Sequence, residues 1–456
     1  MRLNLKLNTA VSLVEVFTNS VALFLLYKFV LSHLGVKHLG VWSVVLATTS
    51  LARFGDIGAA AGLSRFIAAS MATNDFKTTR DYIETAFIAN LVLYSCAGLL
   101  FYVPLSMGVK FVVSKDMLGE AQTLLSYAIA SFLCLNLNAV IFSSLVGLQR
   151  MYLKSVISIL STVVQVSVAI ILIPKMGLLG LAIGQICQYL FALIAGWFTV
   201  GLFVKTGKLW IAPMRFKLDT FKALFGFGVK LQAATLISFL FEPATKFALS
   251  AVCGLEALGY FEMAYKFVLQ VRNVIVAPTQ SLVPAYTHFD VLQNNEINSL
   301  YKKATALTII VGGVVFCTAS ILSPIMSILW IGHLNTYFVS FVCILCVGWY
   351  VNAVGNPAYL LGVSKGRISR NLIGHVITSA GSPALGFVLG HAIGPIGFVI
   401  AISIALAAGA TFSMINNCRM FNLHALPSSS DIADQISSIL APLTKQFAVA
   451  IQRRPN

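Results

Sequence analysis

Apolar runs of about twenty residues recur from one end of this chain to the other, and nothing else in it constrains the fold as tightly. A helix of about 20 predominantly apolar residues spans the hydrocarbon core of a bilayer. Composition agrees with that reading. The chain has 456 residues, of which 58% are hydrophobic and 10% charged, and its mean hydropathy is +0.88. Soluble domains are about 25% charged, and a soluble fold has no place to hide so much apolar surface. The expected fold class is an all-α polytopic membrane protein.

Polar, Gly and Pro clusters break the chain into about twelve spans. They run 8–32, 40–71, 83–107, 121–148, 152–173, 177–204, 224–252, 259–288, 303–330, 338–362, 370–390 and 395–416. The first run follows Arg2 and Lys6, carries Glu15 and continues to Leu31 with no small-residue cleavage site, so it reads as a span and not as a signal peptide. Of the 31 Lys and Arg residues, 20 fall in loops or tails on one side, and only Lys37, Lys110, Lys115 and Lys175 on the other. That bias places both termini in the cytoplasm and supports an even number of spans.

The chain also repeats itself. GVKHLGVW, Gly35 to Trp42, returns as GLEALGYF, Gly254 to Phe261, at a shift of 219. Arg53 then falls on Arg272 and Tyr82 on Tyr301. GLLG at Gly177 returns as GPIG at Gly394, and Gly147 with Arg150 is echoed more weakly by Gly362 with Lys365. Motifs in order at nearly constant shift read as a duplication of six spans, hence a parallel repeat with a substrate site between halves. The expected organisation is an N-lobe at 1–204, a basic cytoplasmic linker at 205–223, a C-lobe at 224–417 and a cytoplasmic tail at 418–456. The opening motif reads as a tight outer turn, with Trp42 at the membrane interface.

Charges left inside spans carry the functional reading, because each is costly in hydrocarbon and must pair or face a polar cavity. Arg53 and Arg272 occupy equivalent positions, mid-membrane by the expected span limits, and Lys246 and Lys266 lie nearer the outer side. These four are the expected substrate-binding residues. Guanidinium forks match phosphate oxygens, and an excess of buried bases over acids suits an anion. Asp56 lies three residues from Arg53, while Glu242 lies four from Lys246 and Glu262 four from Lys266, so mutual pairing is the competing reading. Glu15, on one face with Ser12 and Asn19, stands apart as a buried carboxylate able to carry a proton.

The chain contains no GxxxxGK[ST] phosphate loop and no HExxH, and its outer loops are short, so neither a built-in ATPase nor an outer-surface enzyme is expected. No cofactor or metal is expected. Cys343 and Cys346 form a CxxC in mid-span, which reads as an inert pair. The net charge of +16 is dispersed, with no basic stripe interleaved with aromatics, so no nucleic-acid partner is expected.

LGVKHLGVW, GDIGAAAGLSRFIA (Gly55 to Ala68), GLQR (Gly147 to Arg150) and GLLGLAIG (Gly177 to Gly184) together resemble the Wzx-like polysaccharide flippases. These belong to the multidrug/oligosaccharidyl-lipid/polysaccharide exporter superfamily. The likeness spans about 1–417 and is strongest in the first half. It implies two six-helix lobes around a basic cavity. It implies transport of an undecaprenyl-pyrophosphate-linked oligosaccharide across the bacterial inner membrane, the lipid tail staying in the bilayer. On this likeness Arg53, Arg272 and Lys246 contact the head group, and Glu15, Asp56 and Glu242 are the carriers for proton or sodium coupling. Two alternatives stand beside it: an ion-coupled exporter of drugs or small molecules on the same fold, and a membrane polymerase or ligase. Buried bases outnumbering acids counts against the first, and the short outer loops and the six-span repeat count against the second.

Overall fold

The computed structural model describes residues 5–51, 60–204, 215–232, 240–279, 282, 286, 296–435 and 437. Arg53 and Asp56 lie outside them. The described chain is helical, without strands. Its helices are α1 (Leu5–Leu34), α2 (Val36–Leu51), α3 (Ala60–Ala72), α4 (Phe76–Val112), α5 (Leu118–Gly147), α6 (Met151–Met176) and α7 (Leu178–Phe203). They continue as α8 (Leu218–Gln232), α9 (Phe241–Thr279), α10 (Glu296–Ile331), α11 (Thr336–Val354), α12 (Asn356–Ser364), α13 (Ser369–Ile393) and α14 (Pro395–Met420).

Among the described residues, 10 helical segments are long and apolar enough to cross a membrane. Two features separate this number from the expected twelve. The expected span 40–71 is carried by α2 and α3. The segment α9 is two helices that meet across a kink at a non-helical Gly254; α8 and the first of them carry the expected span 224–252, and the second carries the described part of the expected span 259–288. The protein is a multi-pass membrane protein. Its helices point Leu99, Phe111, Leu202 and Ile321 outward, which in lipid is the favourable side. Inward they set small and polar groups such as Ser70, Asn90, Asn136 and Ser144, as helix packing without a hydrophobic drive requires.

The chain forms two compact units, Met1–Glu262 and Met263–Asn456. In the first, α5 packs against α2, α3, α4 and α7, while α6 lies between α1 and α7, and α8 covers α3 and α4. In the second, α14 packs against α11, α12 and α13, with α10 on α11. Tyr301 on α10 donates to the Ala425 carbonyl at 2.7 Å, holding the start of the tail. The units divide inside α9, downstream of 205–223. The leading part of α9 belongs to the first unit because it meets α2 backbone to backbone. A Cβ on Gly40 would strike the Leu255 carbonyl, and one on Gly259 would strike the Val36 carbonyl. The shift of 219 turns each member of this contact into the other, so the crossing is reciprocal. Trp42, two residues on from Gly40, is only 3% exposed, so it is a core residue and not an interfacial anchor.

The repeat in sequence is also a repeat in conformation. Gly35, between α1 and α2, has φ +84°, and Gly254 has φ +85°. Gly177 joins α6 to α7 at φ +61°, ψ −138°, and Gly394 joins α13 to α14 at φ +74°, ψ −155°. Backbone of this kind is almost confined to glycine. The weaker echo becomes sharp once the hydrogen bonds set its register. Arg150 N donates to Leu145 O at 2.8 Å and Gln149 N to Val146 O at 2.9 Å; Arg367 N donates to Gly362 O at 2.8 Å and Gly366 N to Val363 O at 3.0 Å. Both are Schellman helix ends. The equivalent of Arg150 is therefore Arg367, at a shift of 217, and not Lys365.

Candidate functional site

Arg272 stands on α9, roughly 27 Å along the helix from Gly254 at 1.5 Å per residue, close to Val276 where the apolar span ends and not at mid-span as expected. It lines a cavity of about 230 Å³ inside the Met263–Asn456 unit, together with Asn352, Asn356, Tyr359, Asn371 and His375. Arg272 Nε and Nη2 both donate to Asn352 Oδ1 at 3.3 Å. Its guanidinium carbon lies 4.7 Å from the centre of the Trp349 ring, a cation–π contact that holds the plane of the fork. Among the described residues no carboxylate forms an ion pair with it. Arginine has five N–H donors, so most of the fork is left for a ligand.

The remaining wall is held from several helices. Asn356 Nδ2 donates to Thr279 Oγ1 at 2.6 Å, Asn371 Nδ2 to the Tyr359 carbonyl at 3.0 Å, and Asn417 Nδ2 to Asn371 Oδ1 at 2.7 Å. His375 Nε2 lies 3.5 Å from the Tyr359 hydroxyl, with the rings 5.6 Å apart and nearly perpendicular. α13 and α14 touch behind these groups. A Cβ on Gly374 would run into the Gly409 carbonyl, and one on Gly409 into the Gly374 carbonyl. Amide, hydroxyl and imidazole groups thus surround a guanidinium with no carboxylate partner among the described residues, a set of groups able to hydrogen-bond an oxyanion.

Lys246 is placed differently. It is 1% exposed and its partner Glu262 is 0% exposed. Lys246 Nζ lies 2.6 Å from Glu242 Oε1 and 2.7 Å from Glu262 Oε2. Tyr27 donates to Glu262 Oε1 at 3.2 Å and Ser43 to Oε2 at 2.8 Å. Glu262 is thus saturated by groups from α1, α2 and α9, and Lys246 and Glu242 are engaged in the same cluster. Charge and geometry make this a structural lock between helices. Lys266 lies on α9 in the other unit, half-buried, and does not line the cavity.

Glu15 is not isolated. Lys154 Nζ lies 2.9 Å and 3.2 Å from its two oxygens. α6 starts at Met151, so Lys154 is already on the helix and reaches Glu15 across the α1–α6 seam. Thr162 donates to Asn19 at 2.8 Å on the same seam. Sequence reasoning missed His375, Asn352, Asn356 and Tyr359. A signal was present: Asn371 and His375 are polar residues four apart on one face of an otherwise apolar helix, and Asn352 and Asn356 flank Gly355 in an otherwise apolar run.

A family profile described as "Polysaccharide biosynthesis protein" matches residues 6–290, more than half of the chain. The chain belongs to this family. No curated relative matches it. Among solved structures, this polysaccharide biosynthesis protein is similar to an inward-facing multidrug resistance MATE family transporter of the MOP superfamily. The TM-score is 0.73 at 15% identity, over 88% of this chain and 94% of that one. It is similar also to the lipid II flippase MurJ in an inward closed conformation, with TM-score 0.73 at 13% identity, over 99% of this chain and 93% of that one. A point mutant of the Vibrio cholerae MATE transporter VcmN matches with TM-score 0.65 at 13% identity, over 91% of this chain and 97% of that one. At these identities the likeness shows a shared fold.

Proposed function

We propose that this protein carries an undecaprenyl-pyrophosphate-linked oligosaccharide from the cytoplasmic to the outer face of the bacterial inner membrane by alternating access. The single observation that carries the proposal is Arg272. It is a cation within the apolar span Phe241–Val276, without a carboxylate partner among the described residues, facing a polar cavity. A buried guanidinium left with free donors calls for an anion, and its fork fits two phosphate oxygens at once. The family supplies the polysaccharide context. The likeness to a lipid II flippase supports a lipid-linked cargo on this fold. Arg53, equivalent to Arg272 by the repeat, is proposed as the second anchor. The excess of loop lysine and arginine on one side supports cytoplasmic termini. The cargo's head group would leave its lipid tail in the bilayer throughout, so the protein transports and breaks no bond.

The equal TM-score of a MATE transporter favours a second reading, an ion-coupled exporter of small molecules. Depletion of the protein in its host separates the two. The flippase reading expects lipid-linked oligosaccharide to accumulate facing the cytoplasm. Accumulation on the outer face instead would point to a polymerase or ligase, and no accumulation together with new drug sensitivity would establish the exporter.

A further inference from the structure

We infer that His375 is the proton-carrying partner of Arg272: an anion entering the cavity of the Met263–Asn456 unit and a proton arriving on the His375 imidazole are one binding event. The inference rests on the reading of that cavity as the phosphate anchor and adds a linked proton to it.

Charge matching links the two groups. A pyrophosphate diester is ionised on both phosphates at neutral pH, and the cavity wall holds one permanent cation among the described residues, Arg272. Histidine is the side chain whose charge changes most readily near neutrality. His375 lines the same cavity on α13, within reach of the Tyr359 hydroxyl at 3.5 Å. Tyr359 can accept a proton's hydrogen bond or donate one, so it accommodates either form of the ring. The surroundings leave the second charge to the ligand. α9 presents Arg272, α12 presents Tyr359 and α11 presents Asn352, while α14 presents Gly409, Ala410 and Ser413, none of these last three titratable. The nearest charge on α13 itself, Arg370, is turned to the Asn416 carbonyl at 3.2 Å. Among the described residues no carboxylate lines the cavity. Without an anion, an imidazolium would face Arg272 with nothing to neutralise either. With a doubly charged anion between them, two cations balance two negative charges.

The linkage has a definite sign. If binding takes up one proton, affinity falls as pH rises, by up to about tenfold per unit. The probe is P1,P2-dimethyl pyrophosphate, whose own two acidic groups stay ionised throughout. Its binding to the purified full-length protein is measured by calorimetry between about pH 6 and pH 8.5, in buffers of different ionisation enthalpy, which counts the protons. The expected result is uptake approaching one proton per anion and an affinity that weakens with pH. His375→Gln should bind more weakly at the acid end, with no pH slope and no uptake. His375→Arg should bind tightly across the whole range, also without uptake, and because it restores binding it excludes simple misfolding. Uptake unchanged in His375→Gln, or a flat pH profile in the wild-type protein, overturns the role of His375 while leaving Arg272 as the anchor. No binding by the wild-type protein, or binding indifferent to Arg272→Gln, overturns the anchor reading and this inference with it.

Discussion

Two lysines and an arginine show how differently one membrane can treat a cation. Lys246 is enclosed by Glu242 and Glu262, Lys154 rests on Glu15, and Arg272 is held only by an amide oxygen and a ring face. The first two are answered by carboxylates and the third, among the described residues, is not. Removing one member of a buried pair strands the other charge and costs about 3–5 kcal/mol, whereas replacing both by apolar groups is often neutral. Lys246→Met should therefore lower the melting temperature of the purified protein sharply, and Lys246→Met combined with Glu262→Leu should recover most of the loss. A Lys246→Met protein as stable as wild type would remove the lysine from the lock. Spacing alone left Lys246 open to either role, because the deciding partner is Glu262, sixteen positions on and across the Gly254 break, brought back by helix packing. The arrival of Ser43 on Glu262 was legible in principle, since the shift of 219 relates those positions.

At the scale of the element, the repeat is carried by helix ends. Gln149 and Gly366 end their helices at φ +60° and +66° in equivalent Schellman turns, but one bears a side chain and the other does not. A non-glycine residue held there costs roughly 1–2 kcal/mol in backbone strain. Gln149→Gly should raise stability by up to about 1 kcal/mol, and Gly366→Ala should lower it by at least as much. Denaturation of the two variants in the same detergent checks the pair, and the same sign for both would break the equivalence. The helices themselves were plain from hydropathy, because bilayer thickness sets their length. Several junctions were legible through the repeated glycines. The junction at Gly254, read from its likeness to Gly35 as a turn between two spans, is a non-helical residue at which two helices meet. The expected boundary between the spans 224–252 and 259–288 falls at this break.

For the molecule as a whole, fold and family were legible and the site was legible in part. Long apolar runs, the loop-charge bias and the echoed glycines led to a repeated helical membrane protein. The matching family profile and the likeness to MOP-superfamily structures agree. Arg272 stood out because an unneutralised cation in a span is rare. Its companions did not, since asparagine, tyrosine and histidine are cheap enough in a helix to pass as packing until α9, α11, α12 and α13 bring them around one cavity. The central claim is that this cavity serves a lipid-linked, pyrophosphate-bearing glycan in transit.

The most direct test is transbilayer movement of that cargo by the purified protein. Vesicles loaded on one leaflet with fluorescent undecaprenyl-pyrophosphate oligosaccharide are probed with an external glycosidase that reaches only outward-facing head groups. The account predicts that wild-type protein exposes the inner pool to the enzyme, and that Arg272→Gln, at equal incorporation, leaves it protected. Protection unchanged by the wild-type protein, or equal exposure by the Arg272→Gln protein, would contradict it.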